Sequence, residues 1–260
     1  MGSNQLFFLG TSDGVSSPNR AHASILLTLD DTVLLLDCGE PCSHTLVKHG
    51  TPADLIDAIL ISHMHSDHVG GFPMVIQWFW LAGRARKLPV YMPKEGIDPF
   101  KRLLRATYLF DELLKFGLQM HPLHQGQEIR IGKARVEARL NHHLAGLKNS
   151  FYSRYRNRFE SFSYRVTRGG VSVVYSGDLA APGDLAPLLK QRTTVLVVEL
   201  AHFEPETLFR TAAEFEIDRI VITHLGGHVQ SALPRTKKIA EKYFPKKKVV
   251  FAQDGMTVEF

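Results

Sequence analysis

The stretch "ISHMHSDHVGG", residues 61–71, crowds His63, His65, Asp67 and His68 into six positions, behind an apolar run and ahead of two glycines. Clustered imidazoles and a carboxylate lose solvation and order, and a bound cation supplies the compensating bonds. Residues two apart on an extended chain point to the same side, so His63 and His65 can share one ion. Asp67 and His68 follow at a turn and can face a second ion. Neutral imidazole with carboxylate suits Zn²⁺, Mn²⁺ or Fe²⁺ better than Ca²⁺. A chain carrying this segment must therefore present it at the end of a rigid element and bring further ligands to the same place.

The patterning around the segment is that of buried strands. "LFFLG", "SILLTL" and "TVLLLDCG" are short apolar runs, the last two separated by "DD", a good hairpin turn. "LIDAILISH" is another buried run and leads straight into the histidines. "FPMVIQWFWLAGRARK" and "PFKRLLRATYLFDELLKFG" predict helices. The second half repeats this order. "EIRIGKARVEARLNHH" and "FSYRVTRGGVSVVYSGD" each predict two strands. "TVLVVEL" and "RIVITHL" predict buried strands on either side of a helix around Glu206–Phe215, "SALPRTKKIAEKYF" a last helix, and "KVVFAQDGMTVEF" a closing strand and turn. Strands precede helices in each half, which suggests two sheets packed together with helices outside. No residue-level repeat or low-complexity linker interrupts residues 1–260, which read as one domain. Residues 145–160, "AGLKNSFYSRYRNRFE", stand apart as a basic, aromatic loop or short helix near the rim.

One segment cannot complete two coordination shells. "LNHHLAG" offers His142 and His143 after a strand, "YSGDLA" offers Asp178, and "VITHLGGH" offers His224 with His228 close behind. A lone Asp after a strand is more often a turn residue or helix cap. Together and in this order, these residues point to a metal centre at the strand ends.

This ligand series, His-x-His-x-Asp-His, then a His, then Gly-Asp, then a late Thr-His, resembles that of the metallo-β-lactamase fold. The opening "FLGTSDGVSSPNRAHASILL", the following "LLLDCGE" and "GGFPMVIQWFW…RKLPVYMPKEG" resemble the ribonuclease Z-like branch. The resemblance implies an α/β (α+β) four-layer αββα sandwich. It implies a first ion on His63, His65 and His143, a second on Asp67, His68 and His224, and Asp178 as the bridge. His143 rather than His142 falls where the family's histidine stands. Asp37 is expected to orient a histidine from behind. Glu199 in "VVELAHFEPE" matches the family's glutamate. The His-Ser-Thr histidine that follows in the family is missing, and so is its long basic tRNA-grasping arm, sought between Asp178 and Glu199. His202 or His228 can stand in for the lost histidine. His22 and His44 read as structural or exposed.

Composition adds limits. Lys and Arg number 31 against 26 Asp and Glu, a net charge of +5 that fits an anionic substrate without demanding nucleic acid. Much of the excess lies in "PKKK" near the C-terminus, which reads as a solvated turn. Cys38 and Cys42 match neither a zinc ribbon nor a disulfide framework. With no secretion signal and no membrane-length apolar stretch, the expectation is a cytoplasmic protein without a membrane partner.

The expected function is a dinuclear metal-dependent hydrolase, a phosphodiesterase of ribonuclease Z-like type using a metal-bridging hydroxide. Its cofactors are two divalent ions, Zn²⁺ with Mn²⁺ or Fe²⁺ as alternatives. Asp67, Glu199, His202 and His228 are the candidate catalytic residues. The partner is an anionic phosphodiester or nucleotide, with nucleic acid as a wider class. Arg154, Arg156 and Arg158, interleaved with Tyr152 and Tyr155, form either a grip for it or a solvated mobile loop. Two alternatives keep the fold. One hydrolyses a thioester, lactone or other carboxylic ester, and the other is a metal-stabilised binding protein without catalysis. The family also implies a homodimer, although the aromatic stretch "IQWFW" serves equally as core.

Overall fold

The computed structural model describes residues 4–245 and 248–260, so Lys246 and Lys247 of the "PKKK" stretch lie outside the described residues. The first half runs β1 (Gln5–Gly10), β2 (Ser24–Leu29), β3 (Thr32–Leu36), α1 (Cys42–Lys48), β4 (Ala58–Leu60), α2 (Ser66–Val69), α3 (Phe72–Leu81), β5 (Leu88–Met92), α4 (Lys94–Ala106) and β6 (Leu118–Pro122). The second continues with β7 (Gln127–Ile131), β8 (Ala134–Leu140), α5 (Ala145–Tyr155), β9 (Phe162–Arg168), β10 (Val171–Tyr175), β11 (Thr193–Leu200), α6 (Pro205–Ala212), β12 (Ile217–Leu225), α7 (Gly227–Ser231), α8 (Leu233–Tyr243), β13 (Val249–Phe251) and β14 (Thr257–Glu259).

Among the described residues these strands form two seven-stranded sheets, ordered β14-β1-β2-β3-β4-β5-β6 and β13-β12-β11-β10-β9-β8-β7. Alternation along the strands explains the layers. Leu34 and Leu36 of β3, Val195 and Val197 of β11 and Val173 of β10 point into the space between the sheets. Leu35 turns outward to the helices with Ile59, Phe72, Val75, Ile76 and Phe79. Leu196 and Val198 turn outward to Leu208, Phe209 and Ala240 on the other side. Strands buried on both faces read as unbroken apolar runs, which is why "TVLLL" and "TVLVV" show no alternation in sequence. The result is the four-layer αββα sandwich.

One expectation needs correction and another an addition. The helix expected over 99–117 begins earlier, at Lys94, carries Pro99 inside it and ends at Ala106. Tyr108 then adopts a left-handed backbone with φ 63°, and turns lead to Gly117. Packing decides this, because Leu109, Leu114 and Phe116 enter the outer core from the turns rather than from one helical face. The closing segment carries the expected strand and turn and then a second strand. β13 pairs with β12 in the second sheet, and β14 crosses to pair with β1 in the first. The helix expected around 206–215 ends at Ala212, and residues 145–160 open with a helix, α5.

Candidate metal centre

The candidate ligands collect where strands of both sheets end. His63 follows β4, Asp178 follows β10, His224 stands near the end of β12, and His143 follows β8. Carboxyl ends of strands are a common place for a site, because rigid strands stop there and loops converge.

Two groups form. In the first, His63 Nε2 lies 3.0 Å from His65 Nδ1, and His143 Nε2 lies 3.2 Å from the same atom. Asp178 Oδ2 stands 3.8 Å from His63 Nε2 and 3.7 Å from His143 Nε2. In the second, His224 Nε2 lies 3.3 Å from His68 Nε2 and 3.1 Å from Asp67 Oδ2. Asp178 Oδ1 approaches His68 Nε2 to 3.2 Å and His224 Nε2 to 3.6 Å. Each group offers four donor atoms within 4.8 Å of one another, and Asp178 gives one oxygen to each.

This donor set fits a pair of divalent ions. Ligands 2.0–2.1 Å from a tetrahedral ion stand about 3.3 Å apart, the spacing found here. Asp178 Oδ1 and His224 Nδ1 are buried without a hydrogen bond. An oxygen of this kind costs about 1–3 kcal/mol unless something coordinates it. A neutral imidazole has one N–H, so His65 Nδ1 cannot satisfy both neighbouring nitrogens by donating.

The charges divide along the same line. Burial and the nearby His68 push the His63 imidazole well below its usual pKa, and burial also lowers His65. Burial, working against Asp178, brings His143 down to about 4. These rings keep lone pairs free at neutral pH. In the second group burial opposes protonation of His68, but Asp178 and Asp37 hold its pKa well above normal. His224 is likewise raised by Asp178 and Asp67 against burial. Burial would raise Asp67, yet its bond to His224 and the charge on His68 bring it to about 2. Asp178, which burial would also raise, is held well below the carboxylate range by His224 and His68. A carboxylate this buried is stable only beside positive charge.

Local backbone features aim these groups. Opposite the Glu199–Leu200 step of β11, the register jumps from Thr223 to Leu225, so His224 is the extra residue of a bulge, at φ 47°. A bulge re-aims one side chain without ending the strand. Gly177 precedes Asp178 at φ 55°, and a Cβ there would come within 2.8 Å of Ser62 Cβ. Behind the site, Asp37 accepts from Ser62 N at 2.7 Å, Ser62 Oγ at 2.8 Å and Tyr175 Oη at 2.6 Å. Its Oδ2 also takes the bond from His68 Nδ1 at 2.8 Å, which turns Nε2 of that ring into the cluster. Sequence reasoning found Asp37 but missed Ser62 and Tyr175. The available signal was a polar tip at the end of each buried strand.

The family model described as "Anti-Pycsar protein Apyc1" matches residues 4–210. The chain belongs to this family. Its wider kin lie on the ribonuclease Z-like branch of the metallo-β-lactamase fold, a branch of metal-dependent hydrolases. Ribonuclease Z of Methanopyrus kandleri is 30% identical, covering 96% of this chain and 96% of that one. Ribonuclease Z of Methanothermobacter thermautotrophicus is 27% identical over 98% of this chain and 96% of its own. The metallo-β-lactamase fold protein YhfI from Bacillus subtilis superposes with a TM-score of 0.78 at 21% identity, both chains fully covered.

The remaining candidates of this family member fall in distinct places. His202 joins Glu199 and His224 in a third group beside the cluster. Glu199 Oε1 accepts from His202 Nδ1 at 2.8 Å and from Leu179 N at 2.9 Å. Its Oε2 accepts from Ala201 N at 2.7 Å and from His202 N at 3.2 Å. The hydrogen bond it donates to Glu199 raises the His202 pKa against burial. His228 is exposed on α7 and stands outside all three groups. His142 is exposed and bonds Asp184 Oδ1 at 2.7 Å, while His143 enters the cluster. His22 is half-buried, its Nδ1 2.9 Å from the Asp13 carbonyl oxygen, and His44 is exposed. Arg154 lies on α5, with Arg156 and Arg158 just beyond it. Of the aromatic stretch, Phe79 is core, and the tryptophans are only half-buried. Among the described residues no helix is long and apolar enough to cross a membrane.

Proposed function

We propose that this chain is a dinuclear metal-dependent phosphodiesterase. The observation that carries the reading is Asp178, whose two oxygens face two separate triads, one of His63, His65 and His143 and one of Asp67, His68 and His224. Two divalent ions held there would lower the pKa of a bound water and offset charge on a phosphoryl oxygen. Zn²⁺ suits these ligands, and Mn²⁺ and Fe²⁺ suit them too.

The chain's own residues divide the remaining work. Asp67 is largely buried, with its side chain 11% exposed, and ionised, so it can orient a water molecule and accept its proton. Glu199 is buried with both oxygens saturated by donors, so it positions rather than transfers. It holds Nδ1–H of His202 and leaves Nε2, on a side chain 38% exposed, free to donate to a leaving alkoxide. This is the role open to the histidine that replaces the family's missing one.

The substrate class follows from the relatives' names and from length. About 255 residues of this chain align over 304 columns with the Methanothermobacter ribonuclease Z, so that relative carries about 50 residues this chain lacks. We expect hydrolysis of small phosphodiesters and little processing of precursor tRNA. Elemental analysis of protein expressed with added Zn²⁺ or Mn²⁺ should find close to two ions per chain. The metal-loaded protein is then assayed on methyl p-nitrophenyl phosphate, a precursor tRNA, a thioester and a lactone. Hydrolysis confined to the thioester or lactone sinks the phosphodiester assignment, and a chain free of metal sinks the dinuclear one.

A further inference from the structure

His143 stands where little buried backbone supports it. His63 follows β4, whose residues are all buried, and His224 stands in the buried end of β12. By contrast β8 ends at the exposed Leu140, and α5, which opens at Ala145, buries none of its residues. The place of the His143 ring therefore falls to hydrogen bonds around residues 141–143. Those bonds fix two successive peptide planes. Asp184 Oδ2 accepts from His142 N at 3.1 Å, which sets the plane between residues 141 and 142. Asn141 Oδ1 accepts from His143 N at 3.1 Å, which sets the plane between 142 and 143. With both planes held, φ and ψ of His142 are determined, and with them the place of the His143 Cα. Asn141 is itself tethered, its Nδ2 donating to Ser163 Oγ at 3.0 Å and its N to the Ser161 carbonyl at 2.9 Å.

The Asp184 carboxylate comes from a rigid place. Pro182–Leu185 forms a single 3₁₀ turn whose Pro182 and Leu185 are buried, Leu185 in the outer core with Leu179, Leu188 and Leu208. An aspartate in such a turn ordinarily caps its own backbone. Both hydrogen bonds of the Asp184 side chain go instead to His142, 42 positions away. Its Oδ1 accepts from His142 Nδ1 at 2.7 Å, so one carboxylate grips one residue by backbone and by ring. The same stretch of chain carries Asp178, and it is fixed beside that residue too, where Leu179 N donates to Glu199 Oε1 at 2.9 Å. The β10–β11 connection thus reaches the first group twice, directly with Asp178 Oδ2 and through His142 with Asp184.

We propose that Asp184 is a positioning residue of the first ion site, holding His143 in place through the residue before it. The inference rests on the dinuclear reading and needs nothing of the substrate. Its test reads metal binding. Metal-free protein is titrated with Co²⁺ and followed by visible absorption and calorimetry, for wild type, Asp184→Ala, Asp184→Asn, His142→Ala and His143→Ala. Asp184→Ala should weaken one of the two ions about 10–100-fold, the scale on which groups that orient a ligand act, and leave the other within about twofold. Its absorption should change in the same bands as that of His143→Ala, since both disturb one ion. Asp184→Asn keeps a carbonyl oxygen for the His142 N–H, and His142→Ala keeps the N–H itself. Both should therefore bind two ions within about threefold of wild type. Wild-type affinity for both ions in Asp184→Ala overturns the proposal, as does a loss in Asp184→Asn equal to that in Asp184→Ala. Equal weakening of both ions, or metal-free Asp184→Ala that no longer melts cooperatively, makes Asp184 a residue of the fold and overturns it too. A wild type that takes up no Co²⁺ removes the dinuclear reading and this proposal with it. Selective loss of one ion in Asp184→Ala, with no diester hydrolysis by the wild type, leaves the proposal standing and removes the phosphodiester assignment alone.

Discussion

Counted from the antiparallel edge, the first sheet runs β14-β1-β2-β3 antiparallel and then β3-β4-β5-β6 parallel. The second runs β7-β8-β9-β10 antiparallel and then β10-β11-β12-β13 parallel. The halves therefore share one plan, and β3 corresponds to β10, β4 to β11 and β5 to β12. Each of β3 and β10 is followed by an aspartate. Asp37 is met by Ser62 N on Oδ1 and by Ser62 Oγ, His68 Nδ1 and Tyr175 Oη on Oδ2, so both its oxygens are hydrogen-bonded. Asp178 has an oxygen that no hydrogen bond reaches. Equal places in the plan thus yield a support and a candidate ligand, and the number of nearby donors separates them. The next pair differs in another way. β4 leads into four candidates within six positions, whereas β11 carries Glu199 near its end and leads into His202, the two forming a buried orienter with its partner. β5 ends regularly before α4, whereas β12 bulges to aim His224.

The comparison makes graded predictions. Asp178→Ala should lose about 10⁴-fold or more in kcat/KM and drop below two ions per chain, with far-UV circular dichroism unchanged. His202→Ala should lower kcat by about 10²–10³ while metal content stays at the wild-type level. A loss of metal in that variant would make His202 a ligand instead of a proton donor. Asp37→Asn keeps the shape but weakens the hold on His68, so metal affinity should fall about 10–100-fold. A defect as large as that of Asp178→Ala would erase the distinction between support and ligand. His142→Ala removes an exposed ring and should change activity within about twofold, read beside His143→Ala as the large effect. The reverse order would show that the wrong histidine of the pair was assigned.

Much of this site was legible because its chemistry is local. His63, His65, Asp67 and His68 stand in one short segment after an apolar strand, and that spacing alone points to shared cations. The preference for His143 came from the resemblance, and the structure brings that ring, not His142, into the cluster. The αββα layering was readable from strand runs buried on both faces. The strand β14 was not, because "TVE" is three residues long and its stability comes from pairing with β1 at the far end of the chain. The helix 94–106 was misplaced for a related reason. Its start at Lys94 is tied by Glu95 to residues 158 and 160, a contact 63–65 positions away.

Ligand chemistry and strand burial are therefore written in residue identity and spacing, since donor atoms and apolar periods act over a few positions. The role of each aspartate, the bulge that turns His224 inward, the saturation of Glu199 and the hold of Glu95 on residues 158 and 160 were decided only by tertiary structure. Each depends on which donors and backbones arrive beside a group once the chain is folded, and a hydrogen bond such as that from Tyr175 Oη to Asp37, 138 residues apart, leaves no period in the chain to read.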